Sequence, residues 1–454
     1  MNSEFARLGV PTSLVAALEA RGITHPTPIQ AATLPDSLAG RDVLGRGRTG
    51  SGKTFAFLLP LVTRLLAADD RRQARRPRAL VLAPTRELAT QIHESLQVLE
   101  PATSLRSTVV FGGVGQHPQA KALERGVDVL IACPGRLLDL MGQRLVDLSA
   151  VQTTVIDEAD HMSDMGFLPG VRRILRATPE RSQRLLFSAT LDAAVGKVVD
   201  EFLHDPVTHE ADPEESPVDA MDHHVLRIPG DQRLGVLAQL AAAPGRTIIF
   251  TRTKHGARKL AKQLVGFGVP AVELHGNLSQ NARTRNLDAL HSGRVATLVA
   301  TDIAARGIHV DDVSLVVHAD PPVEHKAYLH RSGRTARAGA AGTVVTLELP
   351  GQRDEVRTLL RRAKIRATIT DANAGSAILD ELAPGKRWFL APDEARERVA
   401  PPVAPPAKAP ARKASGSTPR AARRGGQRAA QAKPDGSPSG GRRRGGRGRR
   451  PAAA

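Results

Sequence analysis

At 454 residues and 41% hydrophobic content, the chain has room for two or three domains with sizeable cores and is not disordered throughout. No apolar run reaches the roughly 18 residues a membrane span needs, and Met1-Asn2-Ser3-Glu4-Phe5 lacks the basic start and apolar core of a secretory signal. The single cysteine, Cys133, excludes an intramolecular disulfide and a multi-cysteine zinc site, and a reducing cytoplasm fits best. The net charge of +18 is uneven: residues 401–454 hold 14 Lys and Arg against one acid, Asp435, so the rest of the chain is nearly balanced. A polyanionic partner is the natural inference, against a merely solubilising tail.

Residues 1–40 carry Leu8, Leu14, Val15 and Leu18 at helical spacing, then Gly22-Ile23-Thr24-His25-Pro26-Thr27-Pro28-Ile29-Gln30. The prolines break the first helix and Gln30 opens another. A carboxamide can pair bidentately with adenine, although on this stretch alone a surface glutamine is the plainer reading.

From residue 41 to 208, short apolar runs alternate with polar clusters and amphipathic stretches. The runs are Val43-Leu44, Leu80–Ala83, Val109–Phe111, Val129–Ile131, Val155-Ile156 and Leu185–Phe187. They are continuous, as parallel strands covered on both faces require, which predicts a doubly wound α/β domain. Ligands of such sheets sit beyond the carboxyl ends of the strands. There the sequence collects Gly47–Thr54, Pro84–Glu87, Gly112-Gly113, Pro134–Arg136, Asp157–Asp160 and Ser188–Thr190.

The first cluster, Gly47-Arg48-Thr49-Gly50-Ser51-Gly52-Lys53-Thr54, has the form G-x-x-x-x-G-K-[ST]. Its glycines let backbone N–H groups converge on one anion, and the following helix adds its positive end. Lys53 can reach the outer phosphates of a nucleotide, and the Thr54 hydroxyl can ligate Mg²⁺. Asp157, after a buried strand, can hold the same metal, and Glu158 is placed to orient or deprotonate an attacking water. The expectation is that these two clusters stand on neighbouring strands of one sheet.

Residues 209–222, rich in acids and prolines, read as a linker. A second α/β pattern spans 223–370, with apolar runs Ile248–Phe250, Val272–Leu274, Leu298–Ala300, Leu315–Val317 and Val344–Leu347 and no second phosphate loop. Within it, His330-Arg331-Ser332-Gly333-Arg334-Thr335-Ala336-Arg337 is dense in cations. Arg334 and Arg337, three apart, would share a face of a helical turn and could meet a γ-phosphate across a domain cleft. Residues 371–399 form an extension in which the regularity fades. The Arg/Gly/Pro/Ala-rich tail, 400–454, buries too little apolar surface to order and has no aromatic ring to stack on bases, so phosphate attraction must carry its binding.

These clusters, in this order, resemble the DEAD-box RNA helicases of superfamily 2 over about residues 1–370. Phe5 and Gly22–Gln30 look like the adenine-reading Q motif, so that residues 1–40 become the Q-motif region. Gly47–Thr54 is similar to motif I, Asp157–Asp160 to motif II and Ser188-Ala189-Thr190 to motif III. Ile249–Thr253 and Gln280-x-x-Arg283 resemble the motif IV region, Ala300-Thr301-Asp302 through Arg306-Gly307 motif V, and His330–Arg337 motif VI. The resemblance implies two tandem RecA-like domains and an ATP- and Mg²⁺-dependent cycle in which RNA and ATP together close the cleft. It implies RNA contacts at Pro84, Thr85, Arg86, Gly113, Pro134, Gly135, Arg136, Thr251, Arg252, Gln280, Arg283 and Thr301. It assigns coupling to Ser188, Ala189, Thr190, Asp302, His330 and Arg331, and catalysis to Lys53, Asp157, Glu158, Arg334 and Arg337. Backbone and 2′-OH contacts would make recognition RNA-specific and tolerant of sequence.

The chain departs from the family pattern at Ile23, where an aromatic residue is frequent, at Cys133, where Thr is usual, at His309, where Asp is usual, and at Ala336, which replaces a common Gly. The reading carried forward is a monomeric, cytoplasmic, ATP-dependent RNA helicase with a basic RNA-tethering tail, with ribonucleoprotein or ribosome-assembly partners open. The alternatives are an ATP-gated RNA clamp or annealing scaffold, and a DNA-directed enzyme.

Overall fold

The computed structural model describes residues 3–47, 50–68, 71–210, 221–305, 308, 310, 312–336 and 342–400. Arg48, Thr49, most of the linker, Arg306, Gly307, His309, Arg337 and the tail from 401 lie outside the described residues. Residues 1–401 form one compact unit, and within it two parallel sheets carry the architecture.

The first sheet contains β1 (Val43–Arg46), β2 (Ala79–Leu82), β3 (Ser107–Val110), β4 (Val129–Ala132), β5 (Thr153–Ile156), β6 (Gln183–Ser188) and β7 (Val207–Glu210). Their order is β3-β4-β2-β5-β6-β1-β7, every pair parallel. Alternate residues feed opposite cores, because side chains alternate across a strand. Ala79 and Val81 face one layer while Leu80 and Leu82 face the other. Both layers are apolar, so the strands read as continuous apolar runs.

The first 40 residues belong to this body. Phe5, Leu14, Leu18, Ile29 and Leu34 are buried in the same core as Val43 and Leu185. A capping box opens the helix Pro28–Leu38: the Thr27 N–H donates to Gln30 Oε1 at 3.0 Å. The first sheet also runs past residue 208 to Glu210, since β7 pairs with β1. This edge strand alternates half-buried and exposed residues and therefore carries no apolar run.

The second sheet contains β8 (Met221–Arg227), β9 (Arg246–Phe250), β10 (Ala271–Leu274), β11 (Thr297–Ala300), β12 (Val313–His318), β13 (Gly342–Glu348) and β14 (Thr368–Asp371). The order β10-β11-β9-β12-β13-β8-β14 repeats the pattern of the first sheet, again all parallel. These are two RecA-like doubly wound units. The segment after 371 packs on the second. Leu379 and Leu382, from the helix Ile378–Leu382, enter its core, and the Trp388 N–H donates to Ala242 O at 2.9 Å. A helix that short leaves little periodicity to read.

Candidate active site

β1 aims its carboxyl end at the phosphate loop, which leads into the helix Lys53–Ala67. Gly52 caps that helix at φ +94°, a conformation L side chains rarely adopt. A Cβ there would also lie 2.8 Å from Gln30 Nε2. Gln30 Nε2 donates to Gly52 O at 2.8 Å, which ties the Gln30 helix to the loop. Both ends of the carboxamide are engaged, yet one N–H and one lone pair remain for a base edge. Ile23 is half-buried against the first core.

Lys53 is 5% exposed. Its ammonium donates to Gly47 O at 2.9 Å and stands 3.6 Å from Glu158 Oε1. Burial pulls its pKa down, but Glu158, Asp157 and Asp160 outweigh burial and raise it, so the charge is kept. Asp157 is pushed up to about 7, chiefly by burial; Lys53 opposes the shift and Glu158 adds to it. Glu158 has φ +52°, a left-handed backbone for a non-glycine residue, which costs on the order of 1 kcal/mol or more. The Asp157 carboxylate accepts the Glu158 N–H at 3.0 Å.

The two clusters are not on neighbouring strands as expected. β6 lies between β1 and β5, so the acids reach Lys53 from two strands away. Two strand spacings make about 10 Å, which long Lys and Glu side chains span together. The intervening strand supplies Ser188, whose hydroxyl accepts the Asp160 N–H at 3.1 Å and donates to Thr190 O at 2.7 Å. Asp160 Oδ2 accepts from both the N–H and the hydroxyl of Thr190, each at 3.0 Å. Ala189 is half-buried between these two residues.

Thr54 is half-buried at the second position of the loop helix. The Ser51 hydroxyl is buried without a partner among the described residues. No cluster of three metal-ligating side chains occurs among the described residues. One carboxylate and one hydroxyl beside an anion cradle suit a hard cation that completes its shell with water and phosphate oxygens.

In the second unit, Arg331 is 2% exposed and clasps Asp302 with two hydrogen bonds; its Nη2 lies 2.8 Å from Oδ2. It also donates to Asp320 O at 2.8 Å and lies over the Phe250 ring. Arg331 thereby ties the ends of β9, β11 and β12 together. Arg334 is buried and donates to Ile308 O at 3.1 Å and His330 O at 3.4 Å. Arg334 follows the end of a helix rather than lying on one, and Arg337, the other half of the expected pair, lies outside the described residues. The helix His325–Ser332 stops before Gly333, and Ala336 has φ +51°.

The residues assigned to RNA divide into exposed and engaged groups. Arg86 donates to Gln280 at 2.8 Å, and Arg283 to Glu87 at 2.7 Å, across the two units. Gln280 donates to Glu87 at 3.3 Å and Arg283 to Ala304 O at 3.1 Å. Burial pushes the Glu87 carboxyl up, but its hydrogen bond with Arg283 and the Arg283 charge win and lower its pKa. Gly113, at φ +78°, lets the Arg86 guanidinium lie where a Cβ would project. Arg136 donates to Gln119 and to Val114 O. Arg252 is exposed and pairs with Glu355 at 2.7 Å. Thr85 caps the helix Arg86–Leu99, and Pro134 is buried at the first turn of Pro134–Gly142, beside exposed Gly135. The Thr251 hydroxyl donates to Thr253 O, and the Thr301 N–H donates to Leu274 O. Burial pushes the Cys133 thiol to about 12, so it stays protonated and unreactive. Sequence reasoning gave no role to Asp160 or Glu87. Each adjoins a residue already singled out, but only the fold brings Asp160 to Thr190 and Glu87 to Arg283.

Fold and site define a tandem RecA-like protein with one phosphate loop, in its first unit. The DEAD/DEAH box helicase profile matches residues 27–198, and the helicase conserved C-terminal domain profile residues 232–339. The ATP-dependent RNA helicase RhlB of Erwinia tasmaniensis is 39% identical over 390 residues, 85% of this chain and 90% of that one. The chloroplastic DEAD-box ATP-dependent RNA helicase 3A of Zea mays is 42% identical over 364 residues, 78% of this chain; the chain spans about half the length of that relative, 48%. The structure of S. cerevisiae Dbp5 bound to RNA and ADP BeF3 superposes with a TM-score of 0.72 at 28% identity, covering 88% of this chain and 100% of that one. The chain belongs to the DEAD-box ATP-dependent RNA helicase family.

Proposed function

We propose that the protein hydrolyses ATP in response to RNA and uses the cycle to separate short duplexes or remodel RNA–protein complexes. One observation carries this reading: a buried, charged Lys53 held between the phosphate loop and the Asp157–Glu158 pair. Lys53 can exchange Gly47 O for phosphate oxygens. Gly47, Gly50, Ser51 and Gly52, with Arg48 and Thr49, would turn backbone N–H groups to the anion, and Gln30 would read adenine. Thr54 and Asp157 would hold Mg²⁺, which when bound neutralises phosphate charge. Glu158 orients and deprotonates the attacking water. Arg334 and Arg337 would offset charge developing on the transferred phosphoryl group, and Asp302, His330 and Arg331 hold that arm in place.

RNA would lie along the carboxyl-end loops of both sheets, meeting Arg86, Gly113, Gly135, Arg136, Arg252, Gln280 and Thr301. No helix among the described residues is long and apolar enough to cross a membrane. We take the protein as a cytoplasmic monomer acting on ribonucleoprotein targets.

The test is ATPase turnover without nucleic acid, with single-stranded RNA and with single-stranded DNA of the same sequence, followed by displacement of a short RNA duplex. RNA should stimulate turnover at least tenfold and DNA little. Turnover indifferent to RNA would overturn the reading.

A further inference from the structure

The loop Arg71-Arg72-Gln73-Ala74-Arg75-Arg76-Pro77-Arg78 leads into β2 at the edge of the sheet opposite the phosphate loop. There, Arg71, Arg76 and Arg78 line a cavity of about 520 Å³ together with Arg64, Arg181 and Ser149. Gln152 and Ser182, which also line it, immediately precede β5 and β6. The four residues of β5 separate Gln152 from Asp157, five steps and about 16 Å along the strand. The cavity is therefore distinct from the nucleotide site.

Part of the arginine run is structural. Arg72 and Arg78 both pair with buried Asp128, Arg75 pairs with Glu124, and Arg76 with Asp147. The other arginines of the wall differ. Among the described residues no carboxylate pairs with Arg64, Arg71 or Arg181, and no carboxylate lines the cavity. Behind the wall sits Arg184, 2% exposed. Its guanidinium bonds the neutral oxygens of Thr154, Ser182 and Pro179, and its Nε–H has no partner among the described residues; the nearby acid Asp42 is engaged by the Arg184 backbone N–H at 2.7 Å. Ser182 and Pro179 line the cavity, so a buried positive charge backs the exposed ones.

We propose that this cavity is a second nucleic-acid site, which takes the phosphodiester backbone of an RNA segment flanking the one in the helicase cleft. Guanidinium forks match phosphate oxygens bidentately, and the Ser149 hydroxyl, which accepts from Arg76, can donate its own proton. The lining has no aromatic ring, so bases are not stacked there and binding is sequence-tolerant. An acidic protein partner is disfavoured, because the only apolar lining is Ala150, Val151 and Pro179, too little for the core of a protein interface. The inference rests on the proposed RNA-dependent activity and adds a tether that lengthens the strand the protein holds.

The test uses the full chain and an Arg71→Glu/Arg181→Glu variant, with Arg71→Gln/Arg181→Gln as a milder pair. Both side chains are exposed, so the fold should tolerate the changes. Each protein is titrated with fluorescent single-stranded RNAs of about 10 and about 40 nucleotides over a range of salt, since one cleft covers roughly the shorter length. The charge-reversed variant should bind the long RNA about tenfold more weakly, with a salt slope shallower by about 1–2. Its affinity for the short RNA, and the ATPase that RNA stimulates, should be unchanged. Equal long-RNA affinity and slope in variant and wild type would overturn the site. An equal loss for both RNAs would place these arginines in the cleft or the fold and overturn it too. Loss of binding to a polyglutamate peptide, with RNA binding intact, would overturn the choice of RNA. A wild-type ATPase that no RNA stimulates would strike the helicase reading instead, so the two failures are distinguishable.

Discussion

Lys53 and Glu158 face each other at 3.6 Å, yet their replacement should have opposite consequences. Lys53→Ala removes the cation that balances the buried carboxylates and would meet the nucleotide phosphates. Titration with a fluorescent ATP analogue should show affinity lower by tenfold or more, and undiminished affinity would count against the cradle. Glu158→Gln keeps size and hydrogen bonding but removes the base. Multiple-turnover ATPase should fall by about 10²-fold or more, the usual scale of general-base loss, while ATP-dependent RNA binding persists. Equal turnover in variant and wild type would remove Glu158 from that role. The backbone at Glu158 supports this view. A glutamate at φ +52° is held there against its preference, and such strain gathers at sites where a side chain must point one way.

At the scale of elements, β6 is the part of the site that matters most and was hardest to foresee. The continuous apolar runs made the strands legible, and the carboxyl-end clusters made the functional edge legible. Strand order is not local information, so nothing in Gly47–Thr54 or Asp157–Asp160 shows that Ser188 stands between them. The edge strands β7 and β14 were invisible for a related reason: with one flank solvated, Val207–Glu210 and Thr368–Asp371 need no apolar run. The spacing of Arg334 and Arg337 suggests a helical turn, but the helix His325–Ser332 ends before Arg334, and the φ of Ala336 is positive. The position of β6 makes the Asp160–Ser188–Thr190 cluster a candidate for transmitting the state of the nucleotide. Thr190→Val removes the hydroxyl bond to Asp160 but leaves Lys53, Asp157 and Glu158 untouched. It should keep RNA-stimulated ATPase within a few-fold and reduce displacement of a short RNA duplex by about tenfold; parallel loss of both activities would make the cluster structural.

Across the whole molecule, the two units meet through Arg86–Gln280 and Glu87–Arg283. Arg86, Gln280 and Arg283 are residues for which the resemblance implies RNA contacts, so the proposed nucleic-acid face would share side chains with the joint between the units. Glu87 is nearly buried and its pKa is lowered. The stabilisation from this pair is therefore present above the ordinary carboxylate range and lost as pH falls through the lowered folded pKa. It is intact near neutrality and cannot act as a switch there. Removing one partner leaves the other charge buried and unpaired, which costs more than the pair contributes. If the pair helps hold the units closed on RNA, Glu87→Gln and Arg283→Gln should each raise the RNA concentration for half-maximal ATPase by about tenfold, with saturated turnover changed much less. Combining them should cost little more than either alone, because residues in one contact are not additive. The measurement is ATPase against RNA concentration for the four proteins of that cycle. Two fully independent losses would mean that each side chain meets RNA separately and that the contact between them plays no part in closure.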